Sequence, residues 1–252
     1  MMYQTAALVC LAALVLSAGG EAPEGQEPDV LLVDDFEAEP TEEGLPPEWE
    51  KLEFEDIPEH TRYELRQEEG NQFLHASARD SASGLVKKIA FKPSERPVLK
   101  WRWRIGGVLE QGDATRKSGD DYAARIYINF KYDPDKVGTW TRIQYALAKR
   151  RLGEYPPLHS LNYIWANRIE QGTFIENAYT GRAMMVAVQS GEDKAGEWVS
   201  EERNIVEDYR EAFGEEPTDV IAVAVMTDAD NTGESARADY DDILFEAVPE
   251  EE

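Results

Sequence analysis

The chain has 252 residues with 51 acidic against 26 basic side chains, a formal net charge of −25, and 42% of its residues are apolar. That balance excludes nucleic acid and anionic membranes as partners, because both require a concentrated cationic surface. A single cysteine excludes an internal disulfide and a multi-cysteine zinc site.

Residues 1–20 contain no Asp, Glu, Lys or Arg, and the apolar run from Ala6 to Leu16 breaks at Ser17, Ala18, Gly19 and Gly20. This is the pattern of a signal peptide cleaved near Gly19 or Gly20. The run is shorter than the ~20 residues a membrane-spanning helix needs, so no stable membrane insertion is expected after cleavage. Cys10 lies inside this segment without a small residue before it, which argues against lipidation. The mature chain then has no cysteine, and export without disulfides suits a periplasmic or secreted bacterial protein.

Residues 21–29 are rich in Glu, Pro and Gly and read as a disordered acidic linker, and 249–252 read as an acidic tail. Between them, residues 30–248 are expected to form a single domain. Short alternating segments recur at 30–36, 62–67, 73–78, 84–91, 98–105, 124–132, 183–190, 220–227 and 236–246. Many short strands separated by turn residues predict a mostly β fold, a jelly-roll-like antiparallel β-sandwich with two short peripheral helices.

The first helix is predicted from Thr139, with Trp140, Ile143, Tyr145, Leu147 and Ala148 as its apolar positions, Lys149, Arg150 and Arg151 in the last turn, and Gly153 beyond. The second begins at Asn204 with Glu207 three residues on, carries Ile205, Tyr209, Ala212 and Phe213 on one stripe, and stops at Gly214 and Pro217. Residues 155–179 are aromatic, Asn-rich and irregular, too long for a simple hairpin loop, and therefore a place to look for function.

In the segment 98–105 a period of two sets Leu99, Trp101, Trp103 and Ile105 on a core face and Lys100, Arg102 and Arg104 on a polar one. The segment 124–132 likewise puts Ile126, Ile128 and Phe130 opposite Arg125, Tyr127, Asn129 and Lys131. If the two strands share a sheet, Arg102, Arg104, Arg125, Tyr127 and Asn129 gather into one ligand face, with fork-shaped donors beside phenol and amide groups. A plain solvent face, its arginines paired with neighbouring carboxylates, is the alternative. Between Arg96 and Arg168 the chain holds 14 Lys and Arg against 7 Asp and Glu, a basic middle in an acidic protein.

Asp120 and Asp121 beside Gly119 lead into the second of these strands, where paired carboxylates suit cation binding or acid/base work; turn residues are the alternative. Asn162, Trp165 and Asn167 combine an indole with two amides, a set that can stack on a sugar ring and read its hydroxyls, or equally form a core tryptophan beside capping amides. His60, His75 and His159 are scattered. No nucleophile elbow, phosphate loop, paired zinc histidines or dinucleotide fingerprint is present, so no catalytic residue is assigned.

Residues 33–37 (Val-Asp-Asp-Phe-Glu), 118–122 (Ser-Gly-Asp-Asp-Tyr), 161–167 (Leu-Asn-Tyr-Ile-Trp-Ala-Asn) and 226–234 (Met-Thr-Asp-Ala-Asp-Asn-Thr-Gly-Glu) resemble the bacterial family called domain of unknown function 3047, over residues 30–246. The resemblance implies no established activity. More loosely, the opening Asp-Asp-Phe-Glu and the closing Tyr240, Asp241, Asp242 and Ile243 are similar to jelly-roll carbohydrate-binding modules. In those modules the first and last strands lie side by side, often around a structural calcium.

The expected function is binding of a carbohydrate-like ligand on the polar sheet face. A glycan-active lyase or hydrolase on the same fold is one rival, with Asp120 or Asp121 as acid/base and Arg125 neutralising a substrate carboxylate. An envelope interaction protein without a small ligand is another. No cofactor signature is present, and the candidate ion is a structural Ca²⁺ at Glu37, Asp239, Asp241 and Asp242, with Asp228, Asp230, Asn231 and Glu234 as a second acidic loop of similar ligand chemistry.

Overall fold

The computed structural model describes residues 30–248. The segments expected to be a signal peptide (with Cys10), a linker and an acidic tail lie outside them.

In chain order the elements are β1 (Val30–Asp34), β2 (Trp49–Leu52), β3 (Arg62–Glu68), β4 (Asn71–Arg79), β5 (Ala82–Phe91), β6 (Val98–Ile105), β7 (Arg125–Phe130), α1 (Thr139–Leu152), β8 (His159–Ala166), β9 (Phe174–Asn177), β10 (Thr180–Ser190), β11 (Val199–Asn204), α2 (Ile205–Phe213), β12 (Val220–Asp228) and β13 (Ser235–Glu246). They form two sheets. The first is six-stranded, in the order β11-β6-β13-β4-β3 with β1 beside β13, and the second is seven-stranded, in the order β2-β5-β12-β7-β8-β10-β9.

The alternation of β6 is realised as read: Leu99, Trp101, Trp103 and Ile105 are all at most 2% exposed. Trp101 packs on Tyr163 of the facing sheet at 5.4 Å between centroids, and Trp103 on Trp165 at 5.9 Å. Aromatic burial on this scale is the main cohesive term of the sandwich. A polar tie crosses the same interior. The Tyr240 hydroxyl of β13 donates to the Met226 carbonyl of β12 at 2.7 Å and accepts from the Arg125 amide of β7 at 3.3 Å.

Three readings of the sequence are corrected. Residues 155–179 contain β8, a central strand of the second sheet, and β9 at its edge. A strand covered on both faces shows no alternation, which is why its periodicity is silent. β8 pairs with β10 in parallel, so the second sheet is mixed rather than purely antiparallel. Helix α1 buries only Tyr145, through a stack on Tyr132 at 4.2 Å, while Trp140, Ile143 and Leu147 face outward. α2 is capped as expected, with Asn204 Oδ1 accepting from the Val206 and Glu207 amides. No helix among the described residues is long and apolar enough to cross a membrane.

β13 changes neighbour along its length. Its first half pairs with β4, its last residues with β1, and the register with β6 shifts between Asp241 and Leu244. Asp242, at φ 50°, takes up the bulge.

Candidate functional site

The outer face of the second sheet carries a cleft of about 570 Å³. Its floor is set by the period of two in three adjacent strands: Arg125 and Tyr127 on β7, Met226 and Asp228 on β12, and Asn162 on β8. One wall is the β2–β3 connection, with Phe54 and Ile57. The other holds Asn177 and Tyr179 of the β9–β10 turn, and the β12–β13 loop adds Asp230 and Asn231.

Asp120 and Asp121 arrive on a loop that is closed on itself. The Asp113 amide donates to the Gly119 carbonyl at 2.7 Å, and the Asp113 carboxylate accepts from the Thr115 amide at 3.0 Å and Arg116 Nε at 2.8 Å. A side chain at Gly119 would place its Cβ 2.8 Å from the Asp113 nitrogen, so the crossing demands glycine.

Arg125 is spent internally. Nε donates to Asp228 Oδ1 at 3.1 Å, Nη2 reaches Asp228 Oδ2 and donates to the Asp120 carbonyl at 3.0 Å, and the guanidinium lies over the Tyr122 ring at 4.8 Å. Nη1 stands 3.8 Å from Asp120 Oδ1, which with the Tyr122 hydroxyl is sealed from solvent without a hydrogen bond. Asp120 Oδ2 accepts from Asn177 Nδ2 at 3.0 Å. Burial and then the Asp120 charge push the Tyr122 phenol up, and burial does the same for Tyr127, so both stay neutral. Tyr179 closes the rim, its hydroxyl donating to Asn231 Oδ1 at 3.0 Å while its ring stays 56% exposed.

Carboxylate oxygens of Asp121, Asp228 and Asp230 lie within 4.8 Å of one another, a set that can hold a metal ion. Burial and then the charge of Asp121 raise the Asp230 carboxyl above the usual aspartate range. Asp121 accepts from the Asn231 amide at 3.3 Å and from the Thr232 amide and hydroxyl at 2.7 Å, which ties the β12–β13 loop to the β6–β7 loop.

Of the residues singled out in the sequence, Asp120, Arg125, Tyr127 and Asn162 converge on this cleft, with Asp121 behind it. The others are distributed differently. Arg102 and Arg104 belong to β6 of the first sheet, so they face away from Arg125 on the opposite side of the sandwich. Asn129 shares the outward face of β7 but lies outside the cleft. Trp165 is a core residue, 1% exposed, with Nε1 donating to the Gly191 carbonyl at 2.9 Å. Asn167 is a loop clamp, accepting from the Leu109 amide at 2.9 Å and donating to the Asp121 carbonyl at 2.7 Å.

The four acids expected to share a calcium are each engaged by protein groups instead, although β1 and β13 do lie side by side. Asp239 binds His75 Nδ1 at 2.6 Å and Arg104 Nε at 2.8 Å. Asp241 is held by Arg102 and by Asn71 Nδ2 at 2.8 Å, Asp242 by Arg102 Nε at 2.9 Å, and Glu37 by the Gln72 amide at 2.8 Å. Of the second acidic loop, Asp228 and Asp230 join Asp121, whereas Glu234 accepts from the Glu110 and Gln111 amides. Phe54, Asn177 and Tyr179 were not legible as site residues: each sits in a turn or edge segment whose position depends on which strands pair.

A family model described as "Protein of unknown function (DUF3047)" matches residues 47–244. No curated protein matches the chain. Among solved structures, the family 11 carbohydrate-binding module of the cellulosomal cellulase Lic26A-Cel5E of Clostridium thermocellum is similar at 12% identity and TM-score 0.39, covering 87% of this chain and 95% of that one. The CBM22-1 xylan-binding domain of Paenibacillus barcinonensis Xyn10C is similar at 13% identity and TM-score 0.35, covering 88% and 96%. The Emp47p carbohydrate recognition domain is similar at 12% identity and TM-score 0.38, covering 86% and 95%. At these scores the likenesses carry no inference about a ligand.

Proposed function

Since the chain belongs to the DUF3047 family, whose function is unknown, we propose from the cleft itself that the protein is an exported binding protein for a neutral, polyhydroxylated, carbohydrate-like ligand. Export rests on the signal-like residues 1–20 alone. The observation that carries the ligand class is the internal consumption of Arg125 by Asp228 and the Asp120 carbonyl. With that cation engaged, the cleft offers the amides of Asn162, Asn177 and Asn231, the phenols of Tyr127 and Tyr179, and carboxylates in excess. Amides and carboxylates pair with vicinal hydroxyls, and the 37% exposed Phe54 and the Tyr179 ring supply apolar faces for a sugar ring. An anionic glycan would meet Asp120, Asp228 and Asp230 without a free counter-charge.

A lyase or hydrolase that uses Arg125 against a substrate carboxylate is the weaker reading for the same reason. A protein-interaction role draws support from the outward Trp140, Ile143 and Leu147 of α1, but those residues name no partner.

The test is a glycan array of the mature protein followed by calorimetry on any hits, for the wild type and for Asn162→Ala and Tyr179→Ala. Neutral glycans are expected to bind, with about tenfold weaker affinity in each variant. Binding confined to uronates or sulfated glycans, or equal affinities in all three proteins, overturns the reading. Release of reducing ends from a bound glycan would move the assignment to a hydrolase.

A further inference from the structure

We propose that the opposite side of the sandwich carries a second, oxyanion-binding site centred on Arg237, distinct from the cleft and taking an anionic rather than a neutral ligand. Two hollows of about 310 and 670 Å³ lie along β13 on the outer face of the first sheet, and Arg237 lines both. The first adds Arg66, Arg104 and His75, the second Arg79, Ser77 and Ser235. The register explains the gathering: Arg237 stands opposite Ser77 and Asp239 opposite His75 on β4, while Arg104 of β6 stands opposite Asp239 from the other side.

Most cations of this face already have acidic partners. Arg104 pairs with Asp239 at 2.8 Å and Glu68 at 2.9 Å, and Arg66 Nε bonds Glu64 at 2.8 Å. Arg237 and Arg79 have no ion pair among the described residues, in a chain with 51 acidic and 26 basic side chains. Arg237 is nevertheless positioned. Its carbonyl accepts from the Gly106 amide at 2.9 Å, and its side chain lies over Gly106, where an added Cβ would come 3.4 Å from Nε. Side-chain placement without a carboxylate partner leaves a planar fork of donors pointed at solvent, the geometry that matches a carboxylate, phosphate or sulfate.

His75 lines the first hollow and is 6% exposed, with its Nδ1 tied to Asp239 at 2.6 Å, which fixes the ring beside the site as a reporter of what enters it. Asp239 is paired with the Arg104 guanidinium at 2.8 Å, which reduces its repulsion of an incoming anion. Glu59 is the carboxylate that lines the larger hollow, beside His60.

The chain has three histidines, so a titration can be read from their ring Cε1–H signals by NMR at fixed pH, with inorganic phosphate and with galacturonate as separate probes. A saturable movement of the His75 signal is expected with at least one probe, without movement of His159, which stacks on Phe213 in another part of the molecule. Saturation by phosphate alone assigns a tetrahedral oxyanion, and saturation by galacturonate alone a carboxylate. Arg237→Gln should weaken that affinity about tenfold or more, while Arg116→Gln, placed on the loop before β7, leaves it unchanged. A non-saturating drift for both probes, or an Arg237→Gln titration that matches the wild type, overturns the proposal. Because the cleft is on the other sheet, neither result bears on neutral glycan binding.

Discussion

Asp228 takes the guanidinium of Arg125 side-on, through Oδ1 at 3.1 Å from Nε and Oδ2 at Nη2, and the two residues are 2% and 4% exposed. The pair sits where three loops and two strands converge, with the carboxylates of Asp120, Asp121 and Asp230 around it.

Arg125→Met is therefore expected to act on the fold before it acts on any ligand. Removing the cation leaves Asp228 buried and uncompensated, a change that costs about 3–5 kcal/mol. Urea unfolding should show a lower midpoint at unchanged slope. The double variant Arg125→Met/Asp228→Leu should recover much of the loss, since removing both charges also removes the desolvation cost. A single variant as stable as the wild type would show that the pair is not structural.

Acid sensitivity is expected from His159. Burial against Phe213 and Tyr209 lowers its pKa from 6.5 to about 4, despite the Glu215 carboxylate 3.7 Å away. The unfolded chain therefore takes up this proton at higher pH than the folded one. Stability from this group is complete above about pH 6.5 and is lost as pH falls towards about 4, by up to about 3 kcal/mol. His159→Gln should flatten that part of the pH–midpoint curve. An unchanged curve would place the acid sensitivity elsewhere.

Asp230 carries the opposite sign of pH dependence. Its carboxyl is raised by burial and by Asp121, so the folded state holds its proton to higher pH than the unfolded state does, and the ionised form destabilises the fold at neutral pH. Asp230→Asn should raise the thermal midpoint at pH 7, and the gain should shrink as acid protonates the wild-type group. Millimolar Ca²⁺ is expected to raise the wild-type midpoint in a concentration-dependent way and the variant's less, because the carboxylates of Asp121, Asp228 and Asp230 are then one ligand short. A variant no more stable than the wild type at pH 7 would exclude the repulsion.

What the sequence disclosed follows the strength of its alternation. β6 and β7 each bury one face, so the period of two assigns Trp101 and Trp103 inward and Arg125 and Tyr127 outward. It does not say which sheet a strand joins. Arg102 and Arg125 read as one face on that missing link, and they stand on opposite sides of the sandwich. β8 is covered on both faces, so Trp165 and Asn167 looked like ligand contacts when they are a core ring and a loop clamp. The acids near the chain ends were expected to crowd once β1 met β13; the strands do meet, but Arg102 and Arg104 reach Asp241, Asp242 and Asp239 from β6, a partner that no local pattern names. Asp120 and Asp121 carried their own signal in the turn around Gly119.

The position of β13 has a kinetic meaning. The last strand of the chain lies between β6 on one side and β4 and then β1 on the other, with Val30 opposite Glu246. Without β13 the first sheet consists of two separate pairs, β3–β4 and β6–β11, which β13 joins and beside which it places β1. Closing contacts between the two ends of so long a chain carries a large loop entropy and slows folding. A polypeptide made from its N-terminus can therefore form the β3–β4 and β6–β11 pairs before β13 arrives, but the two are joined into one sheet only when β13 follows.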